Sequence, residues 1–167
     1  YKKMYDKCRY KIMQIDIVRL CILHNEGGLY CDLDVFPNRA GMKFGDLIFA
    51  IDKTSKGQGK KSVITNEIMQ CAKGNPFILG FLQYIKSQIK EKSNISAYKT
   101  RKARFVLHTT GPYALQRYLK INKIHSDCYT TNQLEFGKNW KYTGLGNTEG
   151  VDFICHNSLS WYKSLKD

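Results

Sequence analysis

Apolar residues recur at steps of three and four from the start of the chain: Met4, Cys8, Ile12, Ile15, Val18 and Ile22. That period puts them on one stripe and predicts a helix over 4–26. Gly27-Gly28 ends it, because glycine takes a left-handed cap without a Cβ clash. The period then changes to two. In residues 29–36, LYCDLDVF, Leu29, Cys31, Leu33 and Val35 alternate with Tyr30, Asp32, Asp34 and Phe36, which predicts a strand buried on one face. Pro37-Asn38 marks a turn.

Residues 46–52, DLIFAID, predict a short strand, and 53–61, KTSKGQGKK, a basic loop. Gly59-Lys60 in that loop lacks the glycine five residues earlier that a phosphate-binding P-loop needs, so that motif is excluded. Residues 62–73 predict a helix closing at Gly74. Asn75-Pro76 reads as an N-cap followed by proline in a first turn, with the helix running to about Lys92. Residues 93–104 are polar and basic and predict a loop. Thr110-Gly111-Pro112 repeats the cap-then-proline signal for a helix to about Lys120, and the last third predicts short strands and turns. Helices interleaved with strands predict the α/β class, and 167 residues suit a single domain over 1–167.

Composition narrows the function classes. With 43% hydrophobic and 13% aromatic residues the chain is not a disordered tail. No apolar run approaches ~18 residues, so no membrane segment is expected. The first ten residues, YKKMYDKCRY, hold no apolar stretch of the signal-peptide kind, and a first residue Tyr1 leads us to expect a fragment or a processed chain. The net charge of +13 invites a nucleic-acid reading. Against it, 21 of the 27 basic residues are Lys and 6 are Arg, whereas phosphate and guanine readers favour Arg forks. The lysines also spread from Lys2 to Lys166, and the densest stretch, Lys86 to Arg104, reads as a solvated helix end and loop. A basic surface with another job is the better reading, and no nucleic-acid partner is expected. Six cysteines, Cys8, Cys21, Cys31, Cys71, Cys128 and Cys155, form no CxxC pair, so a zinc ribbon is excluded and buried free thiols are expected. Disulfides stay open for a lumenal chain.

The chemistry concentrates at Tyr30-Cys31-Asp32-Leu33-Asp34. Two carboxylates at i and i+2 of a strand project on one face and raise each other's pKa, so they need a compensating cation. Oxygen-only ligation suits Mg²⁺ or Mn²⁺. The bland alternative is an exposed aspartate pair that merely ends the sheet. An EF-hand is excluded, because the third ligand, glycine and distal Glu are missing at the required steps. Asp16 and Arg19, at i and i+3, share a helix face. They are either a local ion pair or a pair that positions an anionic or hydroxylated ligand beside the aspartates.

The string Asp16-x-x-Arg19, then Gly27-Gly28-Leu29-Tyr30-x-Asp32-x-Asp34-Val35, resembles the signature of DXD-type sugar-nucleotide glycosyltransferases, and glycosyltransferase family thirty-two above all. Asn66 in Thr65-Asn66-Glu67-Ile68-Met69, the Thr110-Gly111-Pro112 helix start, and His156 followed by Ser160-Trp161 extend the likeness over residues 16 to 161. The resemblance implies a GT-A-type, Rossmann-like nucleotide-sugar transferase fold and a retaining, metal-dependent transfer, with mannosyltransferases among the family's members. It implies that Asp34 ligands Mn²⁺ or Mg²⁺ directly, with His156 completing the metal or diphosphate site. Asp32 then contacts the ribose or donor sugar, and the metal through water. Asp16 and Arg19 hold donor-sugar hydroxyls and the diphosphate side, Tyr30 lines the donor pocket, Asn66 sits near the donor sugar, and Ser160 and Trp161 close over the diphosphate. The partners implied are a UDP- or GDP-sugar donor and a glycan, lipid or protein acceptor.

Family members open with a strand-loop-strand segment that binds the nucleotide base. Only fifteen residues precede Asp16 here, so a chain lacking those first strands, with an exposed sheet edge, is expected. The alternative function is a truncated, inactive basic binding module of the same fold that binds polyanions; a two-carboxylate nuclease is a third reading and needs more acids near the pair than the sequence offers. Localisation stays open between the cytoplasm, for bacterial or viral relatives, and the Golgi lumen, for eukaryotic ones with a membrane anchor.

Overall fold

A computed structural model describes residues 1–38, 46–52, 63–95, 98, 101–124, 127–133, 135–136, 142–144 and 152–155. Five helices are described: α1 (Lys2–Asp6), α2 (Lys11–Glu26), α3 (Pro76–Lys92), α4 (Lys102–Thr109) and α5 (Pro112–Ile121). The strands are β1 (Gly28–Cys31), β2 (Val35–Pro37), β3 (Leu47–Asp52), β4 (Val63–Cys71), β5 (Asp127–Gln133), β6 (Glu135–Phe136), β7 (Tyr142–Gly144) and β8 (Phe153–Cys155). The class is α/β, as the interleaved periods predict. The basic loop expected over 53–61 lies outside the described residues.

Several elements stand where local signals put them. Asn75 caps α3, its Oδ1 accepting from the Phe77 N–H at 2.9 Å, with Pro76 in the first turn. Pro112 opens α5 in the same way. Others differ. The helix expected over 4–26 is two, because Tyr10 is extended (φ −129°, ψ 144°) and separates α1 from α2. The inner face of α2 is also not the predicted stripe. Met13, Ile17, Leu20 and Leu23 are buried, while Ile15, Val18 and Ile22 are 43%, 41% and 54% exposed. This helix is apolar on two sides, so its period announces a helix without saying which side turns inward.

The helix expected over 62–73 is strand β4. Its partners are β1 on one side and β3 on the other, and Glu67, Ile68 and Met69 are all buried, so no alternation marks it. The loop expected over 93–104 gives way to α4 at Lys102. The strand expected over 29–36 is interrupted: β1 ends at Cys31, and Asp32-Leu33-Asp34 is a turn into β2.

The main sheet is mixed, with order β1-β4-β3-β5-β8-β2; β6 and β7 pair separately. β3 runs parallel to β5 and β5 to β8, while the other neighbours are antiparallel. Alternation along β3 separates two cores. Phe49 joins α2, α3 and α5 in the larger one, where Phe77, Phe81, Tyr84 and Tyr118 stack at centroid distances between 5.3 and 6.4 Å. Ile48 and Ala50 face the other way and pack with Val35, Ile68 and Cys155.

That second core bends the sheet. β1 and β2 stand at opposite ends of the strand order, which in a flat sheet is about 24 Å at ~4.8 Å per strand. The step from Cys31 to Val35 can reach no more than about 14 Å. The sheet therefore curls until its two ends meet at the Asp32–Asp34 turn, and Val35, Ile68 and Cys155 pack in the concavity. β4 contributes a bulge at the same place: Phe49 pairs with Met69 but Ala50 with Thr65, so residues 66–68 have no counterpart on β3.

Gly27 fixes how α2 enters β1. Its φ of 71° and ψ of −163° lie in a region that only glycine visits freely, and a Cβ there would come within 2.6 Å of the Lys73 backbone nitrogen. Gly27→Ala is expected to destabilise the fold by roughly 2–3 kcal/mol. Urea denaturation checks it, and an unchanged midpoint would show that the α2–β1 corner can relax.

Candidate active site

The curl brings α2, the Asp32–Asp34 turn, the β4 bulge and the α4–α5 corner around one cavity of about 220 Å³. Asp16, Arg19, Asp32, Asp34 and Asn66 all line it, together with Thr65, Glu67, Gly111 and Cys155. Asp32 and Asp34 meet there through a turn and not, as the period of two predicts, on one face of a strand. The turn is closed by the Val35 N–H donating to the Asp32 carbonyl at 3.1 Å, and Asp32 N–H donates to the Glu67 carbonyl at 2.8 Å.

Arg19 is the hub. The residue is buried on the inner face of α2, 5% exposed. Nη1 donates to Asp32 Oδ1 at 3.1 Å and to the Asn66 carbonyl at 2.9 Å. Nη2 lies 3.3 Å from Asp16 Oδ1. The guanidinium carbon sits 4.7 Å from the centroid of the Tyr30 ring, a cation–π contact. Asn66 Nδ2 donates to Asp16 Oδ1 at 3.2 Å, the Thr110 hydroxyl to Asp16 Oδ2 at 2.6 Å, and the Tyr30 hydroxyl to Asp32 Oδ1 at 2.6 Å. The Asp16–Arg19 pair is part of a wider network, since the same guanidinium also holds Asp32 and the Asn66 carbonyl.

Burial pushes the Asp16 carboxyl up to about 6, although Arg19, Thr110 and Asn66 pull it down. Burial also raises Asp32, opposed by Arg19 and the Tyr30 hydrogen bond and reinforced by Asp34. The Tyr30 hydroxyl is raised, chiefly by burial. Of four side-chain polar atoms buried with no hydrogen-bond partner among the described residues, two, Arg19 Nε and Thr65 Oγ1, belong to residues that line the cavity.

Among the described residues no group of three His, Cys, Asp or Glu gathers as a metal cage. His156, Ser160 and Trp161 lie outside the described residues. Cys8, Cys21, Cys31, Cys71 and Cys155 are free thiols, with Cys71 and Cys155 buried. No described helix is long and apolar enough to cross a membrane.

Sequence reasoning did not single out Thr110 or Glu67 as site residues. Thr110 was visible only as part of a helix start, yet it sits at the buried corner between α4 and α5, 1% exposed, with its hydroxyl on Asp16. Gly111 lets that corner pack closely, since a Cβ there would stand 3.0 Å from the Leu107 Cα. Glu67 stands beside Asn66 in the bulge, where a reading of 62–73 as a helix gave no reason to turn it inward.

Residues 1–48 match the family model described as glycosyltransferase sugar-binding region containing DXD motif. This segment, which holds Asp16, Arg19, Tyr30, Asp32 and Asp34, is thus similar to a DXD-type glycosyltransferase sugar-binding region. The chain is 40% identical over 112 residues to inositol phosphoceramide mannosyltransferase 3 of Schizosaccharomyces pombe, covering 66% of this chain and 28% of that protein. It is 26% identical over 174 residues to subversion of eukaryotic traffic protein A of Legionella pneumophila, covering 92% of this chain and 26% of that protein. It thus spans about a quarter of the length of each of these curated relatives. Among solved structures, the PaToxG glycosyltransferase aligns over 66% of this chain and 36% of its own, with 21% identity and a TM-score of 0.49.

The raised Asp16 carboxyl gives a signed pH dependence. Between about pH 4, the unfolded value, and about pH 6, the folded state keeps a proton that the unfolded state has released. The contribution of Asp16 to stability is therefore largest below about pH 4, falls as pH rises to about 6, and is constant above. Asp16→Asn removes the titration. The stability difference between parent and variant, from urea melts across this window, is expected to shift against the parent as pH rises. A difference moving the other way would mean that the Arg19 contact, not burial, governs Asp16.

Proposed function

We propose that this chain holds the donor site of a metal-dependent, retaining glycosyltransferase with a GT-A-type fold, using a nucleotide sugar. The observation that carries the reading is the buried Arg19 hub, which holds Asp16, Asp32 and Asn66 around a cavity that Asp34 also lines. A site built only for stability would not need a buried cation, clustered carboxylates and open space together.

The residues present fit a divalent cation. Two carboxylates with open space beside them suit Mg²⁺ or Mn²⁺, which are commonly held by one or two carboxylates plus substrate phosphates. The family resemblance supports Asp34 as the direct ligand, and Asp32, whose Oδ1 accepts from Arg19 and Tyr30, as a donor contact. When bound, the metal supplies Lewis-acid stabilisation of the leaving diphosphate.

The chain's own groups do the positioning. Arg19 brings fixed positive charge to the side of the cavity where the diphosphate develops charge, and its unpartnered Nε–H is a donor that an anionic ligand satisfies. Asp16 spends three acceptor positions on Arg19, Asn66 and Thr110, and a carboxylate has about four, so one remains for a sugar hydroxyl. The orphaned Thr65 hydroxyl suits the same ligand. Tyr30 does not line the cavity; pinned between Arg19 and Asp32, it positions those two groups. Cys155 lines the cavity, which supports the proposal that His156, the next residue, completes the metal or diphosphate site, with Ser160 and Trp161 closing over it. Retention at the sugar carbon follows from the family resemblance. The fission-yeast relative is named for a mannosyl transfer to inositol phosphoceramide, so a hydroxyl-bearing lipid joins glycans and proteins as an acceptor class to test.

Mn²⁺ together with UDP or GDP is expected to raise the Tm, since ligands of the native state stabilise it; a ligand at ~100 times its Kd adds about 2.7 kcal/mol. Asp34→Ala should lose the metal-dependent part of that shift while keeping the parent fold by circular dichroism. An Asp34→Ala chain that responds like the parent would sink the metal role. Donor hydrolysis with UDP- and GDP-sugars, followed by NMR of the anomeric proton, then reads the donor and the stereochemical course.

A further inference from the structure

We propose that a second cavity, between α1 and α3, is a binding site for a multiply phosphorylated anion. The cavity measures about 600 Å³, within the usual range for small-molecule sites, against about 220 Å³ for the acidic one. Lys3, Lys7, Lys86 and Lys90 converge on it over a floor that includes Met4 and Ile89. Two come from the N-terminal segment. The other two stand at i and i+4 on one face of α3. None of its lining residues lines the acidic cavity, so the site stands apart from glycosyl transfer.

The charge at this cavity is uncompensated. Among the described residues no carboxylate lines it, and none of the four lysines makes an ion pair. The nearby acids are engaged elsewhere. Asp6 holds Lys2 at 2.8 Å, and Glu91 accepts from Gln88 at 3.1 Å. The adjacent Lys92 turns away and donates to the His108 carbonyl at 2.6 Å. Four lysines around one space concentrate like charge there, and an anion of several charges offsets it.

The residue type is compatible with that ligand. Arg forks match carboxylate and phosphate bidentately, and no described Arg lines this cavity. Lysines are rotatable point charges that suit phosphate groups set at different angles. Met4 and Ile89 offer an apolar floor to the carbon frame that carries those phosphates. Two sources share this chemistry, a soluble polyphosphate and the headgroup of a phosphorylated lipid.

Calorimetry of the full chain with inorganic tripolyphosphate tests the site. Saturable binding that weakens with salt is expected. Lys86→Glu with Lys90→Glu should weaken it about tenfold or more, through lost phosphate contacts, and Lys3→Glu with Lys7→Glu should do the same from the other wall. Lys73→Glu with Lys120→Glu makes an equal change in net charge at exposed positions away from the cavity and should leave affinity within about twofold. Phosphatidylcholine vesicles doped with phosphatidylinositol bisphosphate, against vesicles doped with phosphatidylserine, separate the sources. Vesicle capture that tripolyphosphate competes away assigns the lipid headgroup, and tripolyphosphate binding without capture assigns a soluble ligand. No saturable binding to either probe overturns the proposal. So does an equal loss in the Lys73/Lys120 control, or full affinity in either cavity pair.

Discussion

One buried guanidinium holds three separate parts of the chain in register. Arg19 reaches from α2 to the end of β1 through Asp32 and to the β4 bulge through the Asn66 carbonyl, while Asp16 on its own helix balances it and catches the α4–α5 corner through Thr110. A charge buried to this degree is tolerable only when paired and hydrogen-bonded, so each partner is needed by the others. Removing one leaves an uncompensated charge or an orphaned donor, a larger penalty than the pair's own attraction. The same dependence makes the arrangement stiff, and a stiff arrangement of donors and acceptors is what a site for developing charge requires.

The location of that hub follows from the sheet. A strip of strands that curls until its ends meet makes a natural concavity, and the small core of Val35, Ile48, Ala50, Ile68 and Cys155 fills its floor. The polar rim stays open. The bulge in β4 matters here because residues released from β3 can serve the cavity: Asn66 and Glu67 give their carbonyls to Arg19 and Asp32. The helices on the opposite face, with their aromatic stack, hold α2 against the sheet and so hold Arg19 at its depth.

Much of this was legible residue by residue. The acid pair, Asp16 and Arg19 stood out by residue type and spacing and Asn66 through the family resemblance, and the structure gathers them in one cavity. The helices begun by Asn75-Pro76 and Gly111-Pro112 were legible because caps and prolines act through the backbone within a turn. Misreadings arose where tertiary structure decided. β4 lacks alternation because it is covered on both faces, so its apolar residues imitated a helix. The inner face of α2 was hidden because Asp16 and Arg19 look like solvent-facing residues, yet they are buried by satisfying each other. Thr110 was missed because its role depends on a partner 94 residues away.

The Asp32–Asp34 turn joins strands whose partners come from opposite ends of the chain's history. Asp32 leaves β1, which pairs with β4, while Asp34 enters β2, whose described partner is β8. On a ribosome, which releases the N-terminus first, the first aspartate can be seated once β4 has emerged, but the second waits for the last described strand. The two carboxylates thus stand on either side of a junction between two strand pairings. Opening of the β2–β8 pair alone would unseat Asp34 and leave Asp32 in the grip of Arg19, so the cavity can be dismantled by a local fluctuation that never unfolds the helical core.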